Sequence, residues 1–381
     1  MRRAAPTHPA PRRILHVGLS LQPAGTETLV IGAYRRVDRE RIQFDFAVPE
    51  GPRGTLTDEV LSLGARVYPY PVPSALKPWP FDRVIRQILR EQGPFHGVHG
   101  HNYYRSGSLL RAAAAANIPL RIAHSHFAED GATNSLFRRA YRAYARRLID
   151  RYATHQIGCS REACESLFGR DCWTDSRTMV VHNGIDLEAF ESADPEGHAL
   201  RQELGLANDA VLVGHVGRFM AQKNHRFLVE VFADLARRRT DVVLILVGAG
   251  PLRPEVEQQV HRLGLQERMR FLGLRQDLPT VLASLDVLVM PSLYEGFPVV
   301  LVEAQAAGIP SVVSSTITRE VDLGAGLLHF VELGDPREWG DRLENAIGEK
   351  RRDRAALRAM LRLAGYEIAD VTRALATLYS P

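Results

Sequence analysis

Short, mostly apolar runs alternate with longer amphipathic stretches along most of the chain. Runs at 13–19, 44–48, 66–70, 97–101 and 120–124 have the length and hydrophobicity of buried strands. Between them, 28–34, 81–91 and 106–116 carry the spacing of helices. A turn-forming stretch, HNGID at 182–186, interrupts the series. It resumes with strands at 211–216, 242–248, 269–272, 287–290 and 311–314, separated by helices at 224–238, 254–263, 278–283 and 298–307. Strands alternating with helices of this length predict βαβ units and parallel sheets covered on both faces. The expectation is an α/β chain of two doubly wound, Rossmann-like domains joined near 183–195. Ligands in such folds bind at the carboxyl ends of strands, here in the cleft between the domains. The divisions expected are a disordered basic tail (1–13), a first domain (14–185), a second domain (186–355) and a C-terminal helix (356–381) packing back on the first.

Composition narrows the class. A chain of 381 residues exceeds one ordinary core, and 45% hydrophobic with 24% charged residues is the balance of a globular enzyme. No apolar run approaches the ~18–20 residues that span a bilayer. The opening MRRAAPTHPAPRR has no apolar stretch behind it and does not read as a secretory signal. The three cysteines, Cys159, Cys164 and Cys172, fit neither a paired zinc motif nor a disulfide framework, which points to the cytoplasm. Charge is uneven. Through Asp186 there are 26 Lys/Arg against 17 Asp/Glu, and beyond it 22 against 27. That asymmetry suits a phosphate-bearing partner or an anionic surface touched by the first half, or simply a solvated basic face.

Candidate chemistry gathers in the second half. In MPSLYEGFPVVLVEAQAAGIP a strand leads through a loop bearing Glu295, Gly296 and Phe297 to a helix with Pro298 in its first turn. The amides of Gly296, Phe297, Val299 and Val300 then form an anion pocket at the positive end of the helix dipole, suited to a diphosphate. Glu295 and Glu303 bracket it, as hydroxyl acceptors at either end of a nucleotide sugar would. Two surface glutamates beside an ordinary β-α turn are the bland alternative. In GHVGRFMAQKNH, Gly217 turns the chain and Arg218 and Lys223 offer cations to a departing diphosphate. In LVGAGPLR, Gly248 begins a glycine pattern that lacks its third glycine, so the signal for a dinucleotide is weak.

These residues carry a resemblance. Glu295 and Glu303 in their context, GRFMAQKN, VGAGPLR, FLGLRQDLPTVL, VVHNGID and RIAHSHF resemble the family 4 retaining glycosyltransferases of bacterial exopolysaccharide and lipopolysaccharide synthesis, which have the GT-B fold. The match runs over nearly the whole chain. It implies transfer of a hexosyl group from a nucleotide sugar, with UDP the commonest carrier, to a growing glycan or lipid-linked acceptor. Arg218 and Lys223 would bind the donor diphosphate and Glu303 the ribose. Glu295 and the amides after it would hold the transferred sugar, and Leu274 and Arg275 would sit near the base. In the first domain the turn Ala24–Gly25–Thr26 would approach phosphate and acceptor, and His124 or His126 would reach the sugar. Two departures stand out: Ala24 where a glycine is usual, and His182 where proline is common. No Asp-x-Asp occurs, so no bound metal and no cofactor beyond the substrate are expected. No Walker motif argues for a nucleotidase either.

The stretch 137–153 places Phe137, Tyr141, Tyr144, Leu148 and Tyr152 at helical spacing among six arginines. It suits an anionic membrane surface, with peripheral attachment at the inner face of the plasma membrane, or an ordinary helix with its aromatic stripe in the core. Two rival functions remain: a GT-B nucleotide-sugar 2-epimerase, and a non-catalytic sugar-nucleotide-binding subunit of a polysaccharide assembly complex. Nucleic-acid binding is not expected, because the basic residues do not interleave with aromatics on a known module.

Overall fold

A computed structural model describes residues 10–72, 79–126, 135–193, 198–349 and 352–380. Most of the expected basic tail lies outside the described residues. The chain divides into two compact units, 1–185 with 365–381 and 186–364.

The first unit is built on a parallel sheet of seven strands: β1 (Arg12–Val17), β2 (Ile42–Pro49), β3 (Val67–Tyr70), β4 (Gly97–Gly100), β5 (Leu120–Ser125), β6 (His155–Gly158) and β7 (Thr178–Val180). Their order is β3-β2-β1-β4-β5-β6-β7, so the strand order reverses at β1/β4, the switch point where ligands gather in doubly wound sheets. Alternation along β1 feeds two cores. Ile14 packs with Phe44, Phe46 and the helix Gly25–Arg36 on one face. Leu15 and Val17 pack with Val98 and the helices Trp79–Glu91 and Ser106–Ala115 on the other. β6 and β7 have only four and three residues, too short for a period to show in the sequence.

The second unit carries a six-stranded parallel sheet: β8 (Val211–Val216), β9 (Val242–Val247), β10 (Met269–Gly273), β11 (Val287–Met290), β12 (Ser311–Ser314) and β13 (Leu328–Val331), in the order β10-β9-β8-β11-β12-β13. β9 is wholly buried, as a central parallel strand reading VVLILV should be. β13 was not expected from the pattern; its LHFV is one strand turn of apolar residues without alternation.

The expected single helix over 356–381 is two. Arg354–Leu363 stays with the second unit, the chain turns at Gly365 (φ +81°), and Ile368–Tyr379 joins the first. There Ile368, Val371, Leu375 and Tyr379 complete the core that holds Ile14 and Phe44.

The basic helix spans Leu136–Tyr152 and corrects one expectation. Most of its aromatic stripe is not in the core; Tyr152, half-buried, packs against it. Ala145 and Ile149 are the buried positions, packed toward the helix Ser106–Ala115. Leu136 (81%), Phe137 (73%), Tyr144 (50%) and Tyr141 (41%) stand in solvent. Gly107 lets the two helices approach closely, since a Cβ there would lie 2.8 Å from the Ala145 carbonyl oxygen. Among the described residues no helix is long and apolar enough to cross a membrane.

Candidate functional site

In the second unit, β8 and β11 are adjacent, so the loops at their carboxyl ends meet. After β8 the chain turns at Gly217, exposes Arg218 and buries Phe219 against the ring of His225, centroids 4.2 Å apart. Arg218 makes no ion pair among the described residues. A short 3-10 turn, Ala221–Lys223, and Asn224 in the left-handed region then start the helix His225–Arg238. A Cβ on Gly217 would lie 3.0 Å from the stem of Lys223, so any side chain here would push the lysine aside.

The Lys223 ammonium donates to Glu295 Oε1 at 2.7 Å, with both side chains largely buried. Gln222 strengthens the junction. Its Nε2 donates to the Tyr294 carbonyl at 2.9 Å and to Glu295 Oε2 at 3.2 Å, and its own carbonyl accepts from the Leu293 amide at 2.8 Å. The two loops predicted separately are thus one polar unit, a cation and an anion held together at the strand ends.

The helix that follows Glu295 is Val299–Ala307, with Pro298 as its N-cap rather than its first residue. No side chain caps it, so its first turn keeps the amide-rich end that suits an anion. Gly308, in the left-handed region at φ +71°, ends it. Glu303 is only partly accessible, and burial pushes its carboxyl up to about 7. Leu274 is exposed, but Arg275 is fully engaged: it donates to Asp277 at 2.8 and 2.7 Å and to Glu203 at 2.5 and 3.0 Å. Its guanidinium braces the loop after β10. Gly248 has φ +139°, and a Cβ there would fall 2.1 Å from the Gly217 carbonyl oxygen. The glycine pattern that hinted at a dinucleotide therefore lets two site loops touch.

In the first unit, the turn after β1 leads into the helix Gly25–Arg36 with Ala24 as N-cap. Ala24 is extended at φ −155°, a conformation any residue adopts, so the missing glycine costs the backbone nothing here. Buried Glu27 reaches back to the Ser20 amide and hydroxyl at 2.9 and 2.8 Å and fixes the turn that carries Gly25 and Thr26. His182 accommodates its unusual place by stacking on Tyr366, centroids 4.4 Å apart, and by contacting the Cys159 carbonyl at 3.2 Å.

His124 and His126 are not isolated side chains. They belong to a buried array with His16, His99 and His101, drawn from three adjacent strands. His124 lies within β5 with no accessible surface, while His126 follows the strand's carboxyl end at 6%. Burial holds all five imidazoles well toward their neutral forms. Sequence reading missed three of the five. The signal was present: HGH and HSH put histidines two apart, on one face of a strand. It also missed Gln222 and the Lys223–Glu295 pair, because partners more than 70 residues apart leave no local trace.

The sequence family described as Glycosyltransferase Family 4 matches residues 23–189, and Glycosyl transferases group 1 matches 210–349. A relative carrying a glycosyltransferase name, EpsF of Bacillus subtilis (strain 168), is 36% identical over 373 residues, 97% of this chain and 96% of its own. A UDP-Gal:alpha-D-GlcNAc-diphosphoundecaprenol alpha-1,3-galactosyltransferase of Escherichia coli is 27% identical, covering 80% of this chain and 79% of its own. Among solved structures, Anabaena Alr3699/HepE in complex with UDP and glucose superposes with TM-score 0.75 at 22% identity, over 97% of this chain and 99% of that one. WaaG, a glycosyltransferase involved in lipopolysaccharide biosynthesis, superposes with TM-score 0.71 at 18% identity, over 96% and 99%.

Proposed function

Since this chain belongs to the family 4 glycosyltransferases and has the GT-B fold, we propose that it is a retaining hexosyltransferase using a UDP-sugar. The acceptor in this reading is a growing glycan or lipid-linked saccharide of cell-surface polysaccharide synthesis. The observation that carries it is the junction of Lys223, Glu295 and the uncapped helix start at the ends of two neighbouring strands.

As the bond from anomeric carbon to phosphate oxygen breaks, negative charge grows on the leaving diphosphate. Lys223 has three N–H donors and spends one on Glu295, leaving two to follow that charge. Arg218 adds a second cation, and the amides of Gly296, Phe297, Val299 and Val300 a third source of positive potential. These groups act without a metal ion at the diphosphate. The acceptor hydroxyl would attack from the face the diphosphate leaves, handing its proton to a phosphate oxygen, which retains configuration. Glu295 and the adjoining amides would orient the sugar, Glu303 would accept from the ribose hydroxyls, and Leu274 would lie along the base. In this reading the Ala24–Thr26 turn would serve the acceptor, and His124 or His126 the sugar.

The experiment is transfer from labelled UDP-sugars to polyprenyl-diphosphate saccharides, with the product's anomeric configuration read by NMR. Retained configuration in a transferred sugar supports the reading. Release of an epimerised sugar nucleotide without transfer favours the 2-epimerase instead.

Glu303 gives this reading a pH signature. A carboxyl raised from 4.5 to about 7 is charged only above neutrality, and the carboxylate is the better acceptor for ribose hydroxyls. The donor KM therefore falls as pH rises from 6 to 8, and Glu303→Gln flattens that profile. Stability runs oppositely. A raised carboxyl favours the folded state fully below 4.5 and loses that contribution as pH climbs through 7, so Glu303→Gln is the more stable protein at pH 8.

The exposed rings of Leu136–Tyr152 lie among Arg138, Arg139, Arg142, Arg146, Arg147 and Arg151, with Asp150 as the helix's one acid. That is the composition of a helix lying on anionic lipid, where each cation near the surface contributes about 1 kcal/mol. We read it as a peripheral attachment at the inner leaflet. The protein should float with phosphatidylglycerol vesicles at low salt and not with phosphatidylcholine, and Phe137→Asp should weaken flotation without changing the fold. No flotation with either lipid would remove this part of the account.

A further inference from the structure

We propose that His101, His124 and His126 form a binding site for one transition-metal ion of imidazole preference, such as Zn²⁺, inside the first unit. One nitrogen from each of the three lies within 4.8 Å of those of the others, and all three residues are buried. The contacts show which nitrogens turn inward. His101 Nδ1 and His126 Nε2 approach to 2.9 Å. His124 contributes Nε2, since its Nδ1 is taken by His99 Nε2 at 3.1 Å. That His124 Nε2 is wholly buried and has no hydrogen-bond partner. A buried polar nitrogen without a partner needs an explanation, and at the centre of three converging imidazoles a bound ion supplies one.

The outward nitrogens are held as those of metal-ligating histidines are. His16 Nδ1 sits 3.1 Å from His101 Nε2, and His99, itself 2.7 Å from the Tyr379 hydroxyl, holds His124 Nδ1. With metal bound, the ring protons lie on those outer atoms: His124 Nδ1–H donates to His99, and His101 Nε2–H to His16. A tetrahedral site with Zn–N bonds of about 2.05 Å has nitrogens about 3.3 Å apart. The His101–His126 pair opens by a few tenths of an ångström to reach this, and His124 closes from no more than 4.8 Å. Three neutral imidazoles leave the fourth position to water, hydroxide or another anion. Rings kept neutral by burial also keep their lone pairs available to a metal at pH 7.

A consequence follows for His126. Ligation through Nε2 places its remaining proton on Nδ1, on a ring whose side-chain neighbour is Asn183. The metal would turn His126 into a fixed Nδ1–H donor at the end of β5. This step links the site to the proposed transfer, whereas the site itself stands on the histidine geometry alone.

The test is titration of untagged, chelator-treated full-length protein with Co²⁺, followed by its visible absorption and displacement by Zn²⁺. The expected result is one equivalent bound with the intense bands of a tetrahedral site, and a thermal transition raised by Zn²⁺. His124→Gln and His101→Gln should each lose the bands, while His261→Gln, on an exposed helix position, retains them. Should the cluster variants unfold, diethyl pyrocarbonate protection of His126 in the unaltered protein by Zn²⁺, read by peptide mass, gives the same answer. No tetrahedral bands with excess Co²⁺, or bands lost only in His261→Gln, would overturn the proposal. The array would then be a purely hydrogen-bonded histidine cluster, and transfer by the second unit's site would be unaffected as a reading.

Discussion

Lys223→Ala lowers the rate of sugar transfer about a hundredfold, mostly in kcat. The scale is that of removing one preorganised donor from a site where charge develops. In the proposed reaction the ammonium would meet the ground-state donor and the leaving diphosphate alike, but its attraction would grow as charge builds, so the loss falls on the transition state. The same change strands Glu295, whose side chain is only 8% accessible and keeps Gln222 as a weaker partner. A buried carboxylate left short of its cation costs about 1–3 kcal/mol. The two effects separate in the double variant Lys223→Ala/Glu295→Gln: neutralising the stranded carboxylate restores the melting temperature, while the rate stays low. Steady-state kinetics beside calorimetric melting checks both. A single variant with unaltered kcat would show that the pair is only a structural clasp.

Gly248→Ala acts by a different route and damages folding first. The residue sits at φ +139°, which side-chain-bearing residues rarely adopt, and its new Cβ would overlap the Gly217 carbonyl oxygen at 2.1 Å. Backbone strain of about 1–3 kcal/mol adds to overpacking of similar size against a main-chain atom that cannot swing aside. The second unit spans 186–364, for which each kcal/mol lowers the melting temperature by roughly 2–4 °C. A fall of about 10 °C in that unit's transition is expected, with donor affinity lost as the Gly217 loop is displaced. Scanning calorimetry reads the first effect and UDP titration the second. By contrast, Gly205→Ala meets no atom within 4 Å and is strained only by its own φ of +64°, so it should cost far less.

Much of this was legible before the structure. β8 and β11 were placed to the residue because Val211–Val216 and Val287–Met290 are buried apolar runs bounded by turn residues. The anion-suited helix start was legible for the same reason: Gly296 and Pro298 punctuate a strand-to-helix turn. Strands β6, β7 and β13 were not, because three or four residues give no period and their assignment rests on neighbours in the sheet. The aromatic face of Leu136–Tyr152 is ambiguous in the sequence because helical spacing shows that residues share a face, not what covers it. Glycine patterns were legible as turns but not as partners. Only coordinates show that Gly248 exists to let the Gly217 carbonyl pass. The histidine array required the order β1-β4-β5, which brings His16, His99 and His124 side by side from segments more than 20 residues apart.

Titration calorimetry with a panel of nucleoside diphosphates reads the proposed pocket of the second unit, built around Lys223, Glu295 and the helix Val299–Ala307. A saturable heat with UDP is expected, weakening at least tenfold in both Lys223→Ala and Glu303→Ala. No heat with any member of the panel, or equal heats in the protein and both variants, would contradict it.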